Sequence, residues 1–501
     1  MGKVNDGIAI SSFWNFIMIL FSRLGGLIFV VIIARYLMPE SFGIYNLALS
    51  VSLIFLYFID SGINQSLLKY VAEALGKKNK KLAKANFRYL LKLKLLFSLI
   101  LSIILAILAY PLSFYIFKKP DLFIPLLFIG IYILSSAFGS FYHAYFYIIK
   151  KLKFLSIRQF LFEIIRIVGV LILFSLISKK YFVIGTFGVI SLTTILVTLY
   201  LIYNLKRLSP YLFEKSGESV EKKRIFKFFI YMGIMGSLLV VFGYIDTIII
   251  GILLKAEYVG FYSAALALAG GIWSFLNISY ILLPLFTQMK DHDLEASINK
   301  VFKYISILAI PSIFGIFILG KYFIRAIYGY EYLPSVLPFY ILSLLILITP
   351  LAGVLISLFS AKEKPRYVIN VIIFSIIINI VLDIILISYL AKISLDLAIA
   401  GAAIATIISE LIYLFGLLTY TRKELKIRLQ SIHLIKPIIS GVVMFSGLYI
   451  INNYLGEITL VIGLLEILLG AAIYILTMFL IKGLKKEDLE LIKQLIKKNE
   501  N

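Results

Sequence analysis

The chain is 501 residues long, 61% hydrophobic and 15% charged, with a mean hydropathy of +1.02; soluble domains average about 45–50% apolar and about 25% charged residues, so a water-soluble globular protein is excluded. Its 49 Lys and Arg outnumber 26 Asp and Glu, leaving a net charge of +23, which at this hydropathy raises the question of membrane sidedness and not of nucleic acid. There is no Cys, which excludes disulfides, Fe–S clusters, Cys-based zinc sites and thiol nucleophiles, and the three His (His143, His292 and His433) are too dispersed to form a ligand set.

A helix rises about 1.5 Å per residue, so about 30 Å of hydrocarbon takes roughly 20 residues. Apolar runs of that length predict an all-α polytopic membrane protein with fourteen spans. Six lie near 13–37, 42–64, 95–117, 122–148, 156–178 and 182–204. Eight more follow near 228–254, 258–284, 301–320, 334–360, 366–390, 397–420, 435–455 and 459–481. They fall into an N-terminal set of six (1–204), a cytoplasmic linker (205–227) and a second set of six (228–420). Two additional helices (421–481) and a cytoplasmic amphipathic tail (482–501) complete the chain.

With both termini in the cytoplasm, 38 of the Lys and Arg fall in cytoplasmic segments and eight in outer loops. Arg23, Arg35 and Arg166 remain in or at the ends of spans. Such alternation loop after loop is hard to obtain with a wrong helix count. The first apolar run contains Arg23 and lacks a small-residue cleavage site, so a removable signal peptide is not expected. The loops are too short for a soluble catalytic domain, and no Walker A or strand-following G-x-G-x-x-G sequence occurs, so no nucleotide-driven motor is expected within the chain. Segments 69–94 and 485–498 have helical apolar spacing with charged opposite faces; they read either as interfacial helices on anionic lipid or as solvated, topology-setting connectors.

An internal repeat links the halves. At an offset of 217, Leu37, Glu40, Gly43, Tyr45, Ala48 and Leu49 recur as Leu254, Glu257, Gly260, Tyr262, Ala265 and Leu266. The shared pattern L-x-x-E-x-[FV]-G-x-Y-x-x-A-L stands at the same hairpin of each half, six spans apart, which predicts a parallel duplication. Gly is expected to permit the sharp turn and close backbone approach, Tyr to sit at headgroup depth and Ala to let helices pack closely.

These residues carry a resemblance. IARYLMPESFGIYNLAL (33–49), YIDTIIIGILLKAEYVGFYSAALAL (244–268), LLPLF (282–286) and the NIVLDIILI…AIAGAAIAT stretch (379–406) are similar to the polysaccharide-biosynthesis (Wzx-type) flippases. That family belongs to the multidrug/oligosaccharidyl-lipid/polysaccharide exporter superfamily. The resemblance implies a MATE-like fold of two six-helix bundles facing each other in a V, with two extra C-terminal helices. It also implies export of a polyprenyl-linked oligosaccharide from the cytoplasmic to the outer leaflet of the cell membrane. Membrane lipids, H⁺ or Na⁺, and glycosyltransferase or polymerase partners are the expected company; no cofactor, nucleic acid or enzymatic chemistry is.

Charges inside the membrane cost at least about 2.5–3.5 kcal/mol each and usually face a wet cavity or a partner. Arg23 lies near the middle of the first span, while its repeat equivalent is Val240; a guanidinium there could bind a phosphate or diphosphate. Asn15, about two turns away, could line the same route. Asp246, opposite Phe29 in the repeat, could couple transport to H⁺ or Na⁺, pair with Arg23 or cap a polar pocket. Glu163 and Arg166 share one helical face and read as a mutually neutralising pair pointing inward. Asp383 and Glu410 stand alone in sequence as wall or cation-site candidates of the second bundle. Asp60, Glu466 and Arg325 read as ordinary interfacial residues. Pro311 and Pro350 interrupt their helices as a static kink or a hinge. On the same fold, a cation-coupled multidrug exporter is the alternative reading, with Asp246, Asp383 and Glu410 dominant and Arg23 incidental. An integral-membrane glycosyltransferase would need larger outer loops.

Overall fold

A computed structural model describes residues 2–213, 218–289, 291–427, 432–454 and 460–484; the amphipathic stretch expected at 485–498 lies outside them. Helices and turns make up the described residues, without a strand, as hydrocarbon demands: a spanning segment must satisfy its own backbone hydrogen bonds. The first helical stretch, Gly2–Ser66, has 65 residues, about 98 Å at 1.5 Å per residue, far more than one bilayer. It breaks at Met38, where φ is 62° and ψ is 167°. Pro39 follows, and a proline both lacks an N–H and pushes the residue before it out of the α region. We label the two arms α1 (2–37) and α2 (39–66).

The remaining helices are α3 (Lys80–Pro111), α4 (Phe123–Ile148), α5 (Leu152–Leu176), α6 (Phe182–Leu208), α7 (Lys222–Leu253) and α8 (Ala256–Leu276). Beyond them come α9 (Ser279–Gln288), α10 (Asp291–Ile327), α11 (Val336–Leu342), α12 (Leu345–Ala361), α13 (Pro365–Leu390), α14 (Leu395–Glu424), α15 (Ile432–Tyr454) and α16 (Leu460–Leu480). Twelve helical stretches among the described residues are long and apolar enough to cross a membrane. The first of them holds both α1 and α2, and the pair ending in α12 is bent by 46°; with the two arms counted apart and the bent pair counted as one span, the number matches the fourteen expected.

One expected span is broken. The run 258–284 is two helices, because the Asn277 side-chain oxygen accepts from the Ser279 N–H at 3.2 Å and hydroxyl at 2.6 Å, an Asx turn that stops α8.

The chain forms two compact units: Met1–Ala264 with Ile376–Ala402, and Ala265–Ser375 with Ala403 onward. In the first, the α1–α2 stretch packs on α5 and α7, α3 on α4, and α6 on α4 and α5. In the second, α15 packs on α10 and α16, and α12 on α9 and α10; Met444, Leu448, Tyr474 and Met478 form a buried cluster there. Surfaces of both carry exposed Ile, Leu and Phe, such as Ile107, Leu192, Phe415 and Leu480, as a lipid solvent allows.

The repeated hairpins meet each other. A β-carbon on Gly43 would overlap the Ala256 carbonyl, and one on Gly260 would overlap the Pro39 carbonyl. Residues 39 and 256 are themselves related by the 217 offset, so the contact is reciprocal, as across a two-fold axis. The close backbone approach expected of these glycines is what they provide: each admits the partner hairpin's backbone, while the turn expected of them in the first hairpin falls at Met38, where φ is positive. Lys119 closes the junction by donating to the carbonyls of Leu254, at 2.8 Å, and Gly251 at the end of α7, where a cation complements the helix dipole.

Candidate functional site

Two of the polar loci buried within the first compact unit hold acids singled out from the sequence as site candidates. The first joins α7, α8 and α13. Asp246 is 3% exposed and Asp383 is 0% exposed, and their carboxyl groups lie against each other. The Tyr262 hydroxyl donates to Asp246 Oδ2 at 3.1 Å, and the Asn379 amide donates to Asp246 Oδ1 at 2.9 Å. Apart from the facing carboxyl, neither Asp383 oxygen meets a donor, and Asn379 Oδ1 meets none. Buried acceptors left this way cost free energy. Two carboxylates in contact at low dielectric repel strongly, so this oxygen-rich junction suits a proton or a small cation.

Both tyrosines of the repeated pattern, Tyr45 and Tyr262, are buried within the protein. Tyr45 stacks on Phe187 at 4.9 Å, and Tyr262 points its hydroxyl at an acid that a surface position could not supply.

The second locus is on α5, facing α1. Arg166 Nε donates to Glu163 Oε2 at 2.8 Å, and its Nη2 donates to the same oxygen. Gln159 donates to Glu163 Oε1 at 2.8 Å, and Arg158 Nη1 donates to Gln159 at 2.9 Å. Phe162 lies between two guanidinium groups, 5.0 Å from Arg158 and 4.8 Å from Arg166, and Arg166 is 4.4 Å from the Phe29 ring centre. Gly25 makes the pairing fit, since a β-carbon there would overlap the Glu163 carboxyl. Arg158 Nε is sealed without an acceptor.

Sequence reasoning placed Arg158 in a cytoplasmic segment. Its spacing of four from Phe162 and eight from Arg166 puts all three on one helical face, and that was the signal available. Arg23 is half-buried on α1, one turn before Gly26, whose α-carbon side faces Arg166. Asn15 is half-buried and accepts from the Tyr147 hydroxyl at 3.4 Å. Glu410 is half-buried on α14, in the second compact unit.

Two acids read as ordinary snorkelling or capping residues are instead held in interior pairings. Asp60 pairs with Lys94, a side chain with 0% exposure; Lys94 also donates to Asn64 at 3.2 Å and Ser140 at 3.3 Å, and Ser140 donates to Asp60 at 2.9 Å. Lys94, assigned from sequence to a cytoplasmic segment, is therefore an interior residue of α3, held there because a buried ammonium needs an acid and further acceptors. Glu466 is buried on α16, and the Asn452 amide, oriented to donate, lies 2.6 Å from it.

Known proteins of similar shape are transporters. A structure of "Lipid II flippase MurJ, inward closed conformation" aligns with a TM-score of 0.75 at 16% identity, over 94% of this chain and 98% of that one. An inward-facing multidrug resistance MATE family transporter of the MOP superfamily aligns with a TM-score of 0.62 at 15% identity, over 81% and 95%. A MOP superfamily transporter from Pyrococcus furiosus gives 0.57 at 13% identity, over 84% and 95%. These likenesses establish a polytopic membrane fold. In sequence, an uncharacterized membrane protein in the cps region of Klebsiella pneumoniae is 26% identical over 270 residues, 52% of this chain and 53% of that protein. The chain thus spans about half the length of the curated relative it matches. Residues 8–290 match the polysaccharide biosynthesis protein family, and the chain belongs to that family.

Proposed function

We propose that the protein flips a polyprenyl-(di)phosphate-linked oligosaccharide from the cytoplasmic to the outer leaflet of the cell membrane, for surface-glycan assembly. It does so by alternating access, without chemistry on the substrate. The observation that carries this reading is membership in the polysaccharide biosynthesis family on a fold shared with transporters. The two six-helix halves, 1–204 and 228–420, are the moving bodies, and the Gly43–Gly260 hairpin contact is the gate that must part on one side.

Arg23 supplies the charge for the diphosphate, with Asn15 on the cytoplasmic approach along α1. Glu163 and Arg166, already satisfying each other, hold α5 against α1 and shape the wall; Glu410 is the wall candidate of the second half. Asp246 and Asp383 take the coupling cation, H⁺ or Na⁺. Both termini face the cytoplasm, where glycosyltransferases load the lipid carrier.

The test is reconstitution. Proteoliposomes should accelerate translocation of polyprenyl-diphosphate sugars, and failure across several head groups overturns the proposal. Arg23→Ala should impair flipping without lowering membrane abundance; wild-type flipping by that variant removes Arg23 from the mechanism. The orphaned oxygens at Asp383 and Asn379 favour one second reading, a cation-coupled multidrug exporter. Dye efflux under an imposed H⁺ or Na⁺ gradient separates the two.

A further inference from the structure

The duplication extends from the hairpins into the buried polar loci. An offset of 217 carries Phe29, Phe162 and Arg166 onto Asp246, Asn379 and Asp383, and Tyr45 onto Tyr262. The contacts are conserved in position though not in chemistry. Residue 166 meets 29 at 4.4 Å and 162 at 4.8 Å; residue 383 lies against 246, which residue 379 bonds at 2.9 Å. Tyr262 bonds Asp246 at 3.1 Å, and Tyr45 stands within the field of Arg166. One junction has therefore been built twice, with a guanidinium between aromatic rings in the first half and paired acids in the second.

Two further exchanges accompany this inversion. Glu163, the counter-ion of Arg166, has Ile380 as its equivalent, and Gly25, which makes room for Glu163, has Phe242. The acid and the space for it occur only where the guanidinium does.

We infer that Arg166 is the permanently tethered cation of the first half, filling the position at which the second half takes an exchangeable monovalent cation. The inference rests on the cation reading of Asp246 and Asp383 given above. A guanidinium stays protonated and cannot leave, and the rings of Phe29 and Phe162 stabilise it through their faces. The first junction keeps one charge state throughout the cycle, whereas the second changes by one charge on loading. Two halves that share the repeat then respond differently to the same ion gradient, and only a differential interaction of that kind can shift a conformational equilibrium.

The experiment counts exchangeable cations on the purified full-length protein, as bound ²²Na⁺ and as protons taken up on acidification. Wild type should hold one, lost in Asp383→Asn. Arg166→Gln should hold two, and Glu163→Gln/Arg166→Gln one again, because Glu163 is the ligand that Arg166 vacates. Arg166→Lys, which keeps the tethered charge, should stay at one. A count of one for Arg166→Gln overturns the inference, as does loss of the wild-type cation in Glu163→Gln. No wild-type cation, or one that survives Asp383→Asn, instead sinks the cation reading itself. If Arg166→Gln stays folded only in Na⁺ or guanidinium and collapses on their withdrawal, the inference stands; collapse in every cation overturns it.

Discussion

Lys94 and Asp60 show how a single pairing can decide whether an interior tolerates charge. The two lie 34 positions apart in sequence on different helices, so neither composition nor spacing reveals the other. Once α3 packs beside the α2 arm, the ammonium gains an acid, an amide and a hydroxyl, and the acid gains the Ser140 donor. Removing one member of a buried pair typically costs about 3–5 kcal/mol, because the other charge is stranded, whereas replacing both by apolar groups is often neutral. Lys94→Met should accordingly lower the melting midpoint in detergent sharply, and Asp60→Leu/Lys94→Met should recover most of the loss. A double variant as unstable as Lys94→Met alone would show that the pair is not what matters. The hairpin glycines obey a steric rule instead: Gly43→Ala should cost about 1–3 kcal/mol by overpacking, and Gly260→Ala should match it because their contacts are reciprocal. Unequal losses would break that symmetry.

The helices themselves were the most readable part of the sequence, since apolar length alone separates a span from a loop. Breaks within a helix were not, because they depend on one side chain competing with the backbone. The duplication makes the comparison internal. Asp60 and Ser140 correspond to Asn277 and Ser357, and Lys94 to Pro311. In the first half the helix runs unbroken through residue 60 to Ser66, with Asp60 bonded across to α3 and α4. In the second, α8 stops at Leu276 and α9 starts at Ser279, while Ser357 donates to the Ser279 carbonyl at 2.9 Å. One half is cross-linked at this level, and the other carries a joint. An acceptor that stops a helix contributes about 0.5–2 kcal/mol, enough to change the population of the bent form by about 2-fold to 30-fold. Asn277→Leu should therefore slow flipping by that order while abundance in the membrane stays unchanged. Unaltered turnover would make the break a static feature of packing. The candidate sites were readable only in part for a related reason. Asp246, Asp383 and Glu163 stood out as charges among apolar residues, but Tyr262 became significant only when a neighbouring helix supplied its partner, and Arg158 only when its own helical face was seen to be buried.

Sidedness is a property of the assembled protein, and the surplus of positive charge is its record. Lys94 and Arg158 belong to buried helix faces and not to cytoplasmic loops, yet their removal from the tally leaves a large imbalance, because the segments around 65–94 and 205–227 keep many other basic residues. The turns at alternate ends of the helices carry exposed lysines suited to a direct measurement: Lys78 follows the short helix after α2, Lys118 lies between α3 and α4, and Lys482 follows α16. The native chain has no Cys, so each introduced thiol is the sole target of a maleimide. A membrane-impermeant maleimide should label Lys118→Cys in intact cells and should reach Lys78→Cys and Lys482→Cys only after permeabilisation. The two inner positions matter because they bracket almost the whole chain. An odd error in the count of fourteen spans would place Lys78 and Lys482 on opposite sides, and a global inversion would label both and spare Lys118. Either pattern would also reverse the side from which Arg23 and Asn15 are approached, so the labelling tests the direction of transport as well as the number of helices.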